Sequence, residues 1–226
     1  MYKKLEEKIN LTFKSSDLLR QAFVHRSYLN EHRNSKMQSN ERLEFLGDAV
    51  LELVVTEHLY SHYPNPEGDL TNWRSALVKG EMLAKVAREL SLGDYLLLSH
   101  GEEKSGGREK DYLLANTFEA LIGLIYLEMG YKKSQTFIHQ FLLVHLEYIL
   151  ASGAHIDAKS HLQELAQDKV GLTPSYKLQH QEGPDHDKMF TMGAFIGERM
   201  VGKGEGASKQ AAEQSAAEDA LKRLKW

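Results

Sequence analysis

The sequence predicts two unlike domains: an all-α N-terminal domain, followed by a small α+β module with the element order α-β-β-β-α. From residue 1 to about residue 150, apolar residues recur at helical spacing and short polar segments separate the helices. A run of small residues at 151–155 then leads into a helix, three strand-like runs and a final Ala-rich helix. We therefore expect domains at 1–150 and 156–226, joined by a linker at 151–155.

The individual elements follow from periodicity and from helix-ending residues. In the first domain we expect an amphipathic segment around 18–23 and helices at 40–60, 69–78, 80–90, 111–129 and 133–150. The Gly-rich, charged stretch at 100–109 is typical of a surface loop. In the module we expect helices at 156–170 and 208–224 and strands at 175–181, 188–196 and 199–204, with Asp157 as a helix N-cap and a hairpin turn at Gly197 and Glu198.

Composition narrows the classes of function. The chain has 226 residues, and 42% of them are hydrophobic, which is enough for packed cores. The 28 Lys and Arg against 32 Asp and Glu do not indicate a nucleic-acid binder, so phosphate contacts must come from local patches. The absence of cysteine excludes disulfides and thiolate metal sites. We find no membrane span and no signal peptide, and we expect a soluble cytoplasmic protein.

The stretch at 40–54, NERLEFLGDAVLELV, predicts a helix with one acidic and one apolar side. The acidic side comprises Glu41, Glu44, Asp48 and Glu52. The apolar side comprises Leu43, Leu46, Val50, Leu53 and Val54. Like charges at i and i+4 repel, and Phe45 projects beside the acids, where a monomer gains little from an aromatic ring. Two interpretations remain: a solvated helix face, or an acidic site for a metal ion or a cationic partner.

A second polar pair lies on the helix expected at 111–129. Asn116 and Glu119 are three residues apart and share a face, whereas the apolar residues around Phe118 lie opposite and should pack in the core. Gly123 continues the polar side and would let another helix approach closely. The alternative interpretation is that the Asn and the Glu only serve the start of the helix.

If the two helices face each other, Glu44, Asp48, Asn116 and Glu119 form a cluster of four oxygen ligands. Carboxylate and amide oxygens suit Mg²⁺ or Mn²⁺ rather than Zn²⁺. A di-iron site would need Glu-x-x-His, which the sequence lacks. A nucleophilic-residue hydrolase has no support either, because the chain has no cysteine and no Gly-x-Ser-x-Gly motif.

Five segments resemble bacterial ribonuclease III, the double-stranded-RNA endonuclease, in the family's order. They are HRSYLNEH at 25–32, NERLEFLGDAVL at 40–51, PEGDLTNWRSALVKG at 66–80, GGRE at 106–109 and LANTFEALIGLIYLE at 114–128. Residues 156–226 resemble the family's double-stranded-RNA-binding domain. The resemblance therefore covers nearly the whole chain, and it alone names RNA as the substrate.

The resemblance implies a mechanism and an assembly. It assigns the metal site to Glu44, Asp48, Asn116 and Glu119, with Asp48 and Glu119 as catalytic residues. It also implies a secondary acidic cluster of Glu41 and Glu67. The cofactor would be Mg²⁺, with Mn²⁺ as a substitute and no organic cofactor. The family is a homodimer formed through the signature helix, which would place Phe45 at the interface, and it processes ribosomal RNA precursors and messenger RNA into ends with a 5′-phosphate, a 3′-hydroxyl and a short 3′ overhang.

Two departures from the family pattern stand out. The family usually has Asp where this chain has Asn116, so the site has lost one negative charge. We expect an active enzyme that needs more Mg²⁺, and the alternative is a double-stranded-RNA-binding protein that has lost cutting. Tyr112 stands where the family more often has Ser.

The resemblance also assigns the contacts of the module with RNA. They are Gln163, Glu164, His186, Ser208, Lys209 and Gln210. Such residues are equally compatible with an ordinary exposed helix or loop. Two rival functions therefore stay open from the residues alone: a non-cleaving binder of duplex RNA, and a helical protein whose acids only solvate a dimer surface.

Overall fold

The computed structural model describes residues 2–152, 158–184 and 188–226, and the chain divides into two compact units, Met1–His155 and Ile156–Trp226. The described part of the first unit is helical apart from one isolated bridge between Val24 and Leu97. The second unit has the order α-β-β-β-α. The predicted fold class is confirmed.

Ten α-helices are described in the first unit. They are α1 (Lys3–Ile9), α2 (Ser16–Gln21), α3 (Arg26–Glu31), α4 (Glu41–His62), α5 (Glu67–Val78), α6 (Gly80–Glu89), α7 (His100–Lys104), α8 (Asp111–Met129), α9 (Tyr131–Phe141) and α10 (Leu146–Ser152). Short 3₁₀ turns lie at Leu92–Tyr95, Gly107–Glu109 and Leu143–His145.

The prediction of a single helix at 133–150 is wrong, because the helix is interrupted by a 3₁₀ turn that separates α9 from α10. Four successive apolar residues at 141–144 cannot all face the core from a straight helix. The break buries Leu142 and Leu143 and leaves Val144 exposed. Helix α10 continues through residues 151 and 152, the first two residues of the predicted linker. The rest of the predicted linker, with the predicted N-cap Asp157, lies outside the described residues.

The segment predicted as a surface loop at 100–109 is instead α7 followed by a 3₁₀ turn. Ser99 caps α7, because its Oγ accepts a hydrogen bond from the backbone N–H of Glu102 at 3.2 Å. Arg108 donates to Glu103 Oε1 at 2.8 Å and to the Gly93 carbonyl oxygen at 2.8 Å. These hydrogen bonds hold the segment against the preceding turn, an outcome that its glycine and charge content did not indicate.

Helix α8 is the centre of the first core. Leu114, Phe118, Leu121 and Ile125 are buried, as predicted. Among the described residues, α8 is the one helix long and apolar enough to cross a membrane by length and composition, and most of its apolar stretch is buried inside the protein. Burial of this kind is typical of a core helix, and the sequence analysis underestimated the length of this apolar run.

Helices α4 and α8 cross with their backbones in contact. A Cβ atom on Gly47 would stand 1.8 Å from the carbonyl oxygen of Glu119, and one on Gly123 would stand 2.2 Å from that of Leu43. Any side chain at either position would therefore force the helices apart. This contact confirms the close approach predicted at Gly123, and Gly47 is its counterpart on α4.

The start of α4 has no side-chain cap, and one residue of its apolar side differs from the prediction. Asn40 is the N-cap but makes no side-chain cap bond; its Nδ2 donates to the carbonyl oxygen of Ala22 at 3.4 Å. Leu53, predicted on the apolar side, is 57% exposed. Leu43, Val50 and Val54 are buried as expected.

The second unit packs two helices against an antiparallel sheet. Its elements are α11 (Ala158–Val170), β1 (Ser175–Glu182), β2 (Met189–Ile196), β3 (Arg199–Gly206) and α12 (Lys209–Leu224). The strand order is β1-β2-β3, and Gly197 has φ 61°, which the tight turn between β2 and β3 requires. Four alanines of α12 are buried against the sheet: Ala212, Ala216, Ala217 and Ala220.

Strand β1 is present where predicted, but most of its side chains are exposed. Leu178 and His180 are both exposed, and a bulge interrupts the pairing with β2 between them. Helix α12 packs on β3 and β2, and β1 lies at the edge of the sheet beyond this cover, which explains the exposure.

We predict that Gly123→Ala destabilises the first unit by about 3 kcal/mol, because the new methyl group overlaps the α4 backbone. Gly68→Ala is the matched control: it adds the same group to a helix where no atom lies within 4 Å, so we expect a gain of about 0.5–1 kcal/mol. Urea unfolding followed by Trp73 fluorescence in a Trp226→Phe background measures both. Equal stabilities of the two variants would contradict the backbone contact.

Candidate functional site

The α4–α8 crossing brings together the four residues predicted as metal ligands. Glu44 and Asp48 flank Gly47 on α4, and Asn116 and Glu119 lie on α8 within two turns of Gly123. Glu44, Asn116 and Glu119 are half-buried, whereas Asp48 is exposed. The charges of Asp48 and Glu44 act on Glu119, and the Asn116 side chain hydrogen-bonds Glu44. The four side chains therefore occupy one neighbourhood.

The electrostatics of this neighbourhood are those of crowded carboxylates. Burial, followed by the charges of Asp48 and Glu44, raises the pKa of Glu119 to about 8. Burial also raises the pKa of Glu44, and so do the charges of Glu41 and Asp48, while the hydrogen bond from Asn116 opposes the shift. Without a cation, Glu119 is therefore largely protonated at neutral pH.

The donor set fits a hard divalent cation, although it does not enclose one as it stands. In the part of the chain that the structure describes, no three Asp, Glu, His or Cys side chains are close enough together to hold a metal ion. Like charges repel over distances well beyond the roughly 2 Å of a metal–oxygen bond. The carboxylates can therefore shift one another's pKa although they are too far apart to bind one ion together. Three carboxylates and one amide are the oxygen ligands that Mg²⁺ prefers. A cation at the crossing would relieve the repulsion that raises the pKa of Glu119.

Glu41 and Glu67, the predicted secondary acidic cluster, lie near different parts of α4 within one chain. Glu41 lies at the start of α4, where Ser39 Oγ donates to Glu41 Oε2 at 2.9 Å and Arg26 Nη1 stands 3.6 Å from Glu41 Oε1. Glu67 begins α5 and lines a cleft with Thr56. The 15 residues of α4 between Glu41 and Thr56 span about 22 Å at 1.5 Å per residue.

A cleft of about 240 Å³ opens beside the acids. It is lined by His25, Arg26, Asn40, Glu41, Glu44, Leu96, Tyr112, Leu113, Asn116 and Thr117. Burial lowers the pKa of His25, so this ring is neutral at pH 7. The sequence analysis did not assign His25 or Arg26 to the site; their position in the first of the resembling segments, HRSYLNEH, was the available signal.

An apolar stripe runs along the outer side of α4. Phe45 is 80% exposed, Leu53 is 57% exposed and Tyr60 is 81% exposed. Together with the exposed Ala49, these side chains recur every four to seven residues and form one face. Phe45 thus projects into solvent from the described chain, as the sequence analysis expected.

The second unit exposes the described RNA-contact candidates. Gln163 and Glu164 are exposed on α11. Ser208 caps α12, because its Oγ accepts from the backbone N–H of Ala211 at 3.1 Å, and Lys209 and Gln210 are exposed on the first turn. His186 lies outside the described residues.

Comparisons with known proteins agree with this architecture. Residues 15–146 match a family model described as Ribonuclease-III-like, and residues 158–224 match the double-stranded RNA binding motif. Ribonuclease 3 of Borreliella burgdorferi is 44% identical over 222 residues, covering 98% of this chain and 90% of that protein. Ribonuclease 3 of Enterococcus faecalis is 44% identical over 221 residues, covering 97% and 96%. The nuclease domain of ribonuclease III from Campylobacter jejuni is 43% identical with a TM-score of 0.58, covering 62% of this chain and 95% of that structure.

Fold, site and relatives together define a double-stranded-RNA-specific endonuclease, a metal-dependent hydrolase. The chain belongs to the ribonuclease III family.

We predict that Glu119→Gln raises the melting temperature of the metal-free protein. A folded-state pKa of about 8, above the ordinary 4.5, means that ionising Glu119 costs folding stability as the pH rises from about 4.5 to 8. Gln stays neutral, so the advantage of the variant should be absent at pH 4, grow up to pH 8 and then level off.

Thermal unfolding in EDTA across this pH range measures the difference, and Glu147→Gln, at an exposed position on α10, is the matched control. A variant that is no more stable than the wild type at pH 8 would contradict the crowding of the site.

Proposed function

We propose that Mg²⁺, with Mn²⁺ as a substitute, binds where α4 crosses α8. The proposed ligands are Glu44, Asp48, Asn116 and Glu119. The observation that carries this proposal is the backbone contact of Gly47 with Glu119, which brings Glu44 and Asp48 of α4 beside Asn116 and Glu119 of α8. We further propose that hydrolysis of the phosphodiester leaves a 5′-phosphate and a 3′-hydroxyl with a short 3′ overhang.

The four side chains have different roles because their environments differ. When bound, a divalent ion supplies a Lewis acid for the phosphate and lowers the pKa of attacking water. Glu119 holds a proton on its carboxyl group until a cation is present, so its ionisation is coupled to loading of the site. Asn116 orients Glu44 through their hydrogen bond. Asp48, exposed beside Glu119, is the acid most accessible to the RNA backbone and its water.

Glu119→Gln tests the proposed activity. We expect it to abolish cleavage of a duplex RNA in Mg²⁺ while leaving binding of the same RNA in Ca²⁺ or EDTA unchanged, because the second unit is untouched. Product sizing and a gel-shift titration give the two readouts. Retained cleavage would remove Glu119 from the mechanism, and loss of both activities would point to misfolding, which circular dichroism checks.

Asn116 sets the metal requirement. We expect Asn116→Asp to lower the Mg²⁺ concentration for half-maximal cleavage several-fold, because a carboxylate restores a negative charge to the donor set. Asn72→Asp, at an exposed position on α5, adds the same charge away from the crossing and should leave the Mg²⁺ curve in place. Superimposable curves for Asn116→Asp and the wild type would refute the weakened-site interpretation. Nothing in the described residues favours a chain that has lost cutting.

We propose a homodimer formed through α4. The exposed stripe of Phe45, Leu53 and Tyr60 is the kind of apolar face that a self-complementary interface buries. Under two-fold symmetry with antiparallel α4 helices, the Phe45 end of one protomer meets the Tyr60 end of its partner. A cleft of about 200 Å³ lies at that end, lined in part by Leu59, Tyr60 and Leu70. The related nuclease domain from Campylobacter jejuni has structural flexibility in a region involved in dimer formation.

This arrangement also accounts for the proposed secondary acidic cluster. Glu67 lines the same cleft, so antiparallel pairing carries it towards Glu41 of the other protomer. Within one chain Glu41 lies at the start of α4, whereas Glu67, at the start of α5, lies near Thr56, about four turns further along α4. The cluster would therefore form only in the dimer. The dimer would carry two active sites, one in each subunit, and each site would cut one strand of the duplex.

We predict that Phe45→Asp converts the protein to a monomer, because it puts a charge at the centre of an apolar interface. Val144→Asp changes another exposed apolar residue, on the 3₁₀ turn before α10, and should leave the dimer intact. Light scattering coupled to size exclusion measures both masses. A dimeric Phe45→Asp protein would show that α4 is not the interface.

For the second unit we propose contacts with successive grooves of the duplex. Gln163 and Glu164 would meet one minor groove, His186 the next, and the first turn of α12 with Ser208, Lys209 and Gln210 would meet the phosphates between them. A helix N-terminus favours phosphate, and Ser208 caps this one. We propose domain boundaries at 150 and 156, and a cytoplasmic role in processing ribosomal RNA precursors and messenger RNA, on the strength of the family resemblance.

A further inference from the structure

Tyr112 lies at the rim of the cleft beside the metal ligands, and its role is not accounted for above. It precedes Asn116 by one helical turn on α8, so the two side chains project from the same face. It lines the cleft together with Glu44 and Asn116, and it is 54% exposed. A large exposed aromatic at this place contributes little to the core, yet any substrate held by the acids will lie against it.

A short chain of hydrogen bonds holds the phenol in place. Tyr112 Oη stands 3.4 Å from Glu102 Oε1, and the same oxygen accepts from Lys110 Nζ at 2.6 Å. The lysine bond is short and charge-assisted, whereas 3.4 Å is near the outer limit for a hydroxyl hydrogen bond. Glu102 therefore orients the ring only through a weak hydrogen bond. The hydroxyl group can rotate and hydrogen-bond a stronger partner instead.

The charges around the cleft indicate which group of the RNA the Tyr112 hydroxyl would bind. Its lining includes the carboxylates of Glu41 and Glu44 against the one guanidinium of Arg26, and His25 is neutral there. With a divalent cation on Glu44, Glu41 still balances Arg26, so the rim offers a phosphate no excess positive charge, whereas a neutral hydroxyl group needs none. The A-form duplex displays ribose 2′-hydroxyls along its shallow minor groove, and a phenol can both donate to and accept from them.

We propose that Tyr112 is a specificity-determining residue whose hydroxyl group hydrogen-bonds the 2′-hydroxyl of a nucleotide flanking the scissile phosphate. Cleavage then depends on ribose at that nucleotide, in addition to duplex shape. This inference rests on the proposed active site at the α4–α8 crossing.

A cycle of enzyme and substrate changes tests the contact. Wild type and Tyr112→Phe are each compared on an all-ribose duplex and on duplexes with one 2′-deoxynucleotide at each position flanking the cut. We expect Tyr112→Phe to lower kcat/KM on the all-ribose duplex by about two- to ten-fold, the range for one neutral hydrogen bond. One deoxy substitution should reduce the wild-type rate equally, and on that substrate the two enzymes should be equal. Tyr148→Phe, which removes an exposed phenol hydroxyl from α10, is the control and should match the wild type on every duplex.

The outcomes separate this inference from the proposed function. A wild type that cleaves normally, together with Tyr112→Phe at the wild-type rate, would overturn the contact and leave the nuclease site standing. A Tyr112→Phe loss that persists on every deoxy duplex would also overturn it, because the hydroxyl group would then act through the protein. A wild type without cleavage in Mg²⁺ would instead count against the proposed active site itself.

Discussion

The backbone contact between α4 and α8 is the constraint on which the rest of the first unit depends. Gly47 and Gly123 let the two longest helices of this unit approach until backbone meets backbone, at a distance that no Cβ atom tolerates. The consequence is electrostatic as much as steric. Glu44 and Asp48 flank one glycine, so the same contact that closes the core forces their carboxylates towards Glu119.

This arrangement favours function at the expense of stability. Crowded, half-buried carboxylates disfavour the folded state unless a proton or a cation neutralises them, and the pKa of Glu119 is raised to about 8 in response. The apolar side of α8 offsets the cost, since it buries a continuous run of large side chains in the core. Asn116 places a neutral amide where a carboxylate would add another negative charge, and it donates a hydrogen bond to Glu44. The repulsion between the metal-free side chains is therefore smaller, and so is the electrostatic attraction of the site for a cation.

The parts that could be predicted from the sequence are those governed by local periodicity. The helix expected at 111–129 has those bounds in α8, and the glycine on its polar side marks the crossing. Elements set by tertiary packing were missed. The helix ends after α9 because Leu142 and Leu143 both enter the core. The segment at 100–109 is held in place by the Arg108–Glu103 hydrogen bonds, and a long-range polar contact of this kind leaves no trace in hydrophobic periodicity. Leu53 shares the predicted apolar side with residues that are buried, because a helical wheel cannot distinguish a face buried in the monomer from one left for a partner.

The account's central claim is that one cation site lies at the α4–α8 crossing. Anomalous diffraction from a crystal of the full chain grown with Mn²⁺ tests this claim most directly. We predict an Mn²⁺ peak within bonding distance of oxygens from Glu44, Asp48, Asn116 and Glu119. A crystal in which Mn²⁺ binds elsewhere, with these four side chains in contact only with solvent, would contradict it.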